Sequence, residues 1–232
     1  MRFKITCGIA AIVGLALPMS SHGALVSWGT PQSIPNVNSV IASAGVTGLD
    51  GVDFGDSASG STVVNNGSVN VNFTRMGFGT GSTALGNGIS ITSSGWTLDD
   101  PNSLNSILIT SFGPVLDTKM GTSNTSASVT LSGLTIGTPY QVQIFSSSAT
   151  ADSFDTMTVS GSAAFGTHAA GAGKTIQGTF TANATTQALS FTASGGDTPA
   201  INALTIGTVP EPSSAIFGGL GVVGLVLGRR RK

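Results

Sequence analysis

Two clusters near the carboxyl end carry the residue types on which chemistry could act. Val209, Pro210, Glu211, Pro212 and Ser213 form a stiff acidic junction, and Arg229, Arg230, Arg231 and Lys232 close the chain with four cations. Between them Ala215 to Gly228 is an uncharged run of 14 residues, five of them glycine. As a helix rising ~1.5 Å per residue it would span about 21 Å, short of the ~30 Å of a bilayer core. The prolines fix φ and remove backbone donors, so the junction stays extended and exposed, the form in which a peptide bond enters an enzyme. The terminal cations would stop translocation and stay on the cytoplasmic side. The chemistry implied is done to this chain by a processing enzyme, during a temporary hold in the membrane.

Elsewhere the reactive types are sparse. Asp99 with Asp100, and Asp152 with Asp155, could contribute to a structural calcium site, since Ca²⁺ takes six to eight oxygens. Neither pair has the spacing of a helix–loop–helix calcium loop, and Asp-Pro and Asp-Ser are ordinary turn formers. The site expectation is therefore no metal and no cofactor. Gly77, Gly79 and Gly81 lack the Lys-Ser or Lys-Thr that completes a phosphate loop. His168 stands without a Gly-x-Ser-x-Gly partner, so no catalytic residue is assigned and the chain is expected not to be an enzyme. Of the aromatics Trp28, Phe78, Trp96, Phe112 and Tyr140, Trp96 is the candidate for stacking on a sugar ring, because it follows the turn-forming Ser93, Ser94 and Gly95. Asn66, Asn72, Asn124 and Asn183 open Asn-x-Ser/Thr sequons, which a chain rich in these residues contains by chance.

The elements that must position these residues start with a leader. Met1 to Gly23 reads as a signal peptide: Arg2 and Lys4 precede an apolar stretch from Ile5 to Leu17, Pro18 ends it, and small residues precede a cut after Gly23 or, next, after Ala24. Such a leader directs the chain through the Sec export machinery. The one cysteine, Cys7, lies inside the leader, so the exported body holds neither a disulfide framework nor a thiolate metal site. From Ala24 to Thr208 three basic residues (Arg75, Lys119, Lys174) stand against nine Asp, a formal charge of −6. That excludes a nucleic-acid partner, which requires clustered Lys and Arg.

The body reads as all-β. Only 8% of residues are charged against 40% hydrophobic, which argues for a packed core, and the 33 glycines among abundant Ser, Thr and Asn suit strands joined by tight turns. Short strands are expected at Leu25 to Trp28 and Val46 to Phe54. Thr62 to Val64 and Ser68 to Phe73 flank Asn66-Gly67, the pair suited to a two-residue type I′ turn. In the second arm Val69, Val71 and Phe73 alternate with polar residues. Further strands are expected at Ile89 to Ile91, Ile107 to Phe112, Ser126 to Ser132 and Tyr140 to Ile144. Others fall at Met157 to Val159, Ile176 to Phe180, Leu189 to Phe191 and Leu204 to Ile206. Tyr140 follows a Gly-punctuated turn, the placement in which a tyrosine packs its ring and ties a corner with its hydroxyl. Spacing and composition predict a single antiparallel β-sandwich of jelly-roll type over residues 24–208. A signal helix would precede it and a short transmembrane helix (215–228) would follow, within a tail spanning 209–232.

The tail resembles the PEP-CTERM sorting signal of exported bacterial proteins, on Val209 to Ser213, the glycine-rich apolar segment and the Arg-Arg-Arg-Lys end. The resemblance implies a partner, the membrane enzyme exosortase, which cuts near the motif and passes the protein to the surface. It further implies a Gram-negative-type envelope, transient residence in the inner membrane, and often an exopolysaccharide-producing lifestyle. It covers 24 residues and says nothing of the body's activity. More weakly, Val129 to Ile144 with Ile201 to Leu204 looks like the jelly-roll, galactose-binding-like domains of other such proteins; no sugar-site residue carries over. The expected role is non-enzymatic, structural or adhesive, at the cell surface or in an extracellular polysaccharide matrix. The alternative is a carbohydrate-binding, lectin-like module, and after it a glycan hydrolase.

Overall fold

The computed structural model describes residues 23–34, 45–55, 60–65, 69–77, 81–100, 113–116, 118–148, 157–164, 172–194 and 198–210. The signal helix, the apolar tail segment, the strand at Ile107 to Phe112, and Phe78 and Phe112 lie outside these residues. No helix among the described residues is long and apolar enough to cross a membrane.

Alternating apolar and polar residues give strands throughout. In chain order they are β1 (Ser27–Trp28), β2 (Gln32–Ser33), β3 (Thr47–Phe54), β4 (Ser61–Asn65), β5 (Asn70–Met76), β6 (Ser82–Ala84), β7 (Ser90–Ser94) and β8 (Leu98–Asp100). A four-residue helix, α1 (Gly113–Leu116), precedes β9 (Lys119–Gly121), β10 (Ser126–Ser132), β11 (Pro139–Ser148) and β12 (Thr158–Val159). Then come β13 (Ala172–Thr181), β14 (Thr186–Thr192), β15 (Ala200–Ile201) and β16 (Ala203–Thr208). An eight-stranded sheet runs β1-β13-β11-β16-β3-β5-β4, with β2 also on β13. A five-stranded sheet runs β12-β14-β10-β7-β6, and a small third sheet is β15-β9-β8. Apart from α1, the described elements are all β-strands, as the composition indicates.

The main core lies between the two large sheets. Val52, Phe54, Val142, Ile144, Leu204 and Ile206 come from one side, and Ile91, Val129, Leu131, Leu189 and Phe191 from the other. A second cluster, with Leu49, Val71, Phe73, Val115, Leu116, Phe145 and Ala203, covers part of the opposite face of the eight-stranded sheet. The face that alternates with Tyr140, Val142 and Ile144 is therefore not wet. Gln141 and Gln143 are both buried, and Gln143 Nε2 donates to Thr175 Oγ1 at 2.9 Å.

The sheets are not purely antiparallel, as the sequence had suggested. β3 and β5 pair in parallel, Asp50 opposite Asn72 through Phe54 opposite Met76. The chain leaves β3, skips one position to lay β4 at the edge, and turns back to insert β5 between them. Period-two alternation is satisfied by a neighbour of either direction, so it did not reveal this. The β4–β5 register also differs from a two-residue turn. Asn65 pairs with Asn70, which puts residues 66–69 in the connection. A shift of two residues keeps every side chain on its face, so the alternating Val71 and Phe73 are buried as expected while the turn is longer.

Asn202 joins the pieces. Its Nδ2 donates to the carbonyls of Leu116 (3.1 Å) and Thr118 (2.7 Å), and its Oδ1 accepts from Ser147 N–H at 2.6 Å. Its backbone N–H donates to Phe145 O, and its carbonyl accepts from Phe54 N–H. One buried residue thus ties α1 and the approach to β9 to β11 and β3.

Candidate functional site

The last strand carries the chain directly to the acidic junction. β16 is an interior strand of its sheet, paired with β11 on one side and β3 on the other. Its end is clamped: Thr208 Oγ1 lies 2.9 Å from Thr47 Oγ1 and also donates to Thr47 O at 3.2 Å, and Val209 N–H donates to Pro139 O at 2.9 Å. At Gly207, beside a register shift, a Cβ would stand 2.7 Å from Val46 Cγ1, so only glycine admits this close approach. Pro210 is exposed, the first residue free of the sheet. Glu211 to Lys232 lie outside the described residues.

The other junction lies at the same end of the sandwich. Ser27 pairs with Thr179 near the close of β13, so the residues before it approach Thr181 and Pro139. Leu25 and Val209 line one groove with Pro139, Phe180 and Thr181. Gly23 is exposed beside the Gln187 amide, and Ala24 is half-buried against the core. The expected leader cut and the tail junction thus open on one face, although 184 residues lie between Gly23 and Thr208.

That face is poor in charge, with one half-buried carboxylate, Asp50, at its margin beside Gly86. The described residues that build it, 23–25, 45–47, 86–89, 133–139, 181–186 and 207–210, include no Lys, Arg, Asp or Glu. The nearest carboxylate along β3 is Asp50, whose pKa is raised above the ordinary 3.8 by burial, partly offset by the backbone N–H of Asn87. A carboxyl whose folded pKa is raised adds stability that is complete below 3.8 and is lost as pH climbs through the folded value. Asp50→Asn removes that loss. Urea unfolding should show the stability of the variant relative to wild type increasing from pH 3 to neutral pH; a constant difference would mean Asp50 is not desolvated.

The aromatic candidates separate cleanly. Trp96 is 2% exposed, its Nε1 donates to Ser128 O at 2.9 Å, and its ring meets Phe191 edge-on at 5.4 Å. It is a core residue and cannot stack on a sugar; the turn at Gly95 (φ 82°) directs it inward. Tyr140 performs the corner role: its hydroxyl accepts from Thr135 N–H at 3.0 Å, and its ring stacks on Phe180 at 5.7 Å. Asp99 and Asp100 stand on β8 paired with Met120 and Lys119, while Asp152, Asp155 and His168 lie outside the described residues. Among the described residues no three His, Cys, Asp or Glu side chains group as metal ligands.

A polar cleft escaped the sequence reading. β1 and β2 both pair with β13, but three residues, Gly29 to Pro31, bridge where β13 has only Ile176 and Gln177, so the edge segment bulges away. Beneath lies a cleft of about 370 Å³ whose lining includes Gln143, Gln177, Thr175, Thr179, Gln32 and Trp28 and is wholly uncharged. The signal was Pro31 inside a strand-like stretch, since proline breaks a ladder.

The tail decides the chain's class of destination. Residues 208–232 match the PEP-CTERM protein-sorting motif. The match starts at Thr208, the residue clamped to Thr47, so the PEP-CTERM signal begins where the sheet ends. The motif marks export, a transient membrane hold and sorting to the cell surface through exosortase. No curated protein and no solved structure matches the chain.

Proposed function

We propose that the chain is an exported surface protein whose body, residues 24–208, has a non-enzymatic structural or adhesive role in the extracellular polysaccharide matrix. Its leader is removed after Gly23, or after Ala24, following Sec export. Residues 215–228 then hold it in the inner membrane with Arg229 to Lys232 on the cytoplasmic side, until exosortase cuts near Pro210 to Ser213. The observation that carries this reading is the exit of the chain at the motif: a clamped interior strand ends at Thr208, and Pro210 directly after it is exposed at the surface. The nested pairings β3–β16, β10–β14 and β11–β13 favour a wrapping of jelly-roll type for the body. Intact-mass spectrometry of cell-surface protein should give a species lacking Arg229 to Lys232. Surface protein that retains them would overturn processing.

A second reading, a carbohydrate-binding module, is favoured by the cleft under the β1–β2 bulge. Amides and hydroxyls both donate and accept, as sugar hydroxyls require, and the lining offers no charge to an ionic ligand. Trp28 Nε1 is buried and has no hydrogen-bond partner among the described residues, and buried donors are nearly always paired. Gln177→Ala should weaken retention of the full-length chain on a neutral galactan or dextran gel about tenfold, the loss of roughly one hydrogen-bonding group. Unchanged retention, or none by the wild type, would remove this reading.

A further inference from the structure

We infer that the sandwich end bearing Leu25, Ile136 and Val209 lies against the bilayer surface while the tail is inserted, so that the body stands end-on upon the headgroups. The inference rests on the sorting reading, because it needs residues 215–228 in the membrane. It adds which face of the body meets the lipid and what fits it there.

Chain length sets the first limit. Four residues lie between Pro210 and Ala215, and an extended chain covers at most about 3.6 Å per residue step, so over the five steps the folded end stays within about 18 Å of the apolar run. The run tightens this further. At about 21 Å it is shorter than the ~30 Å core, and a short segment is accommodated by drawing its flanks into the interface and thinning the bilayer. With the basic tetrad fixed on the far side, the flank drawn in is Val209 to Ser214. No slack remains between sheet and headgroups, because Val209 is hydrogen-bonded to Pro139 and Thr208 to Thr47.

The surface presented there suits a lipid interface. Among the described residues the exposed large apolar side chains are Leu25 (90%), Val63 (59%) and Ile136 (62%). Two of them stand on this end, Leu25 just before β1 and Ile136 in the turn whose Gly137 N–H donates to Ala182 O. A groove of about 400 Å³ runs between Leu25 and Val209 beside Phe180. The body carries a formal charge of −6, yet the described segments that build this end hold no charged residue; the half-buried Asp50 carboxylate stands at its margin beside Gly86, and Glu211 follows in the junction. An acidic body is repelled by an anionic leaflet. The end poorest in charge is the one that can approach it, without basic residues and so without a need for anionic lipid.

The test uses the full-length chain in phosphatidylcholine vesicles, with Cys7→Ser and one new cysteine carrying an environment-sensitive fluorophore. Ile136→Cys reports the inferred contact; Ser123→Cys, exposed in the turn before β10 at the opposite end, is the reference. Both positions are exposed, so neither label disturbs the core. A headgroup-level lipid quencher should reduce emission at position 136 at least threefold more than at 123 in chain that floats with the vesicles. Equal quenching at both positions, or none at 136 in floating chain, overturns the end-on contact and leaves the sorting reading standing. Chain that does not float overturns both.

Discussion

Asn202→Ala is expected to lower the stability of the folded body by about 3–5 kcal/mol, the sum of three buried partners left unpaired at ~1–3 kcal/mol each with partial relaxation. Those partners are the carbonyls of Leu116 and Thr118 and the N–H of Ser147. Water cannot replace the side chain, because Asn202 is 1% exposed. At roughly 2–4 °C per kcal/mol for a chain of this size, the midpoint should fall by about 10–15 °C in a thermal scan. Asn202→Asp should be nearly as damaging. It keeps an acceptor for Ser147 N–H but turns a second oxygen on two carbonyls. A loss below about 1 kcal/mol for Asn202→Ala would show that α1 and β9 are held by other contacts.

Trp96→Ala should unfold or severely weaken the body, by about 3–5 kcal/mol, rather than remove a ligand. The indole fills space between the sheets, contacts Phe191 and pairs its donor with Ser128 O. Trp96→Phe should recover most of the packing and lose only the hydrogen bond to the Ser128 carbonyl, a cost of about 1–2 kcal/mol. The measurement is urea unfolding of the variants beside wild type. A Trp96→Ala body that unfolds at the wild-type midpoint would contradict the burial and restore a surface role. The contrast with Gln177→Ala is direct: that change should cost retention on a neutral glycan gel and little stability, because Gln177 lies at the cleft and not between the sheets.

Local patterns carried the reading where chemistry is local. Val129 and Leu131 alternate with Ser128 and Thr130, and the strand and its buried face followed, since successive side chains on a strand point to opposite faces. The Tyr140 corner was legible because the turn lies within five residues of the ring that ties it. The same patterns misled where the deciding neighbour was remote. Trp96 follows a Ser-Ser-Gly turn that resembles a surface loop, and only the arrival of β10 and β14 encloses it. Gln141 and Gln143 look solvent-facing by alternation, yet the second cluster and the β1–β2 edge shut them in. Asn202 drew attention only as part of a closing strand, because its partners lie 55 to 86 residues away.

By itself, then, the sequence determined the destination and the material of this protein. A sorting signal is read as a linear string, so Pro-Glu-Pro, an apolar run and a basic end suffice, and a body poor in charge and rich in Gly, Ser, Thr and Val is bound to form strands. Tertiary structure decided everything that depends on which strand lies beside which. It set β5 parallel to β3, turned Trp96 inward, opened a cleft beside Trp28, and brought the two ends of the body to one face poor in charge. The physical reason is that a period of two residues is satisfied by many pairings, and the choice among them is made by long-range packing, to which no short stretch of sequence is sensitive.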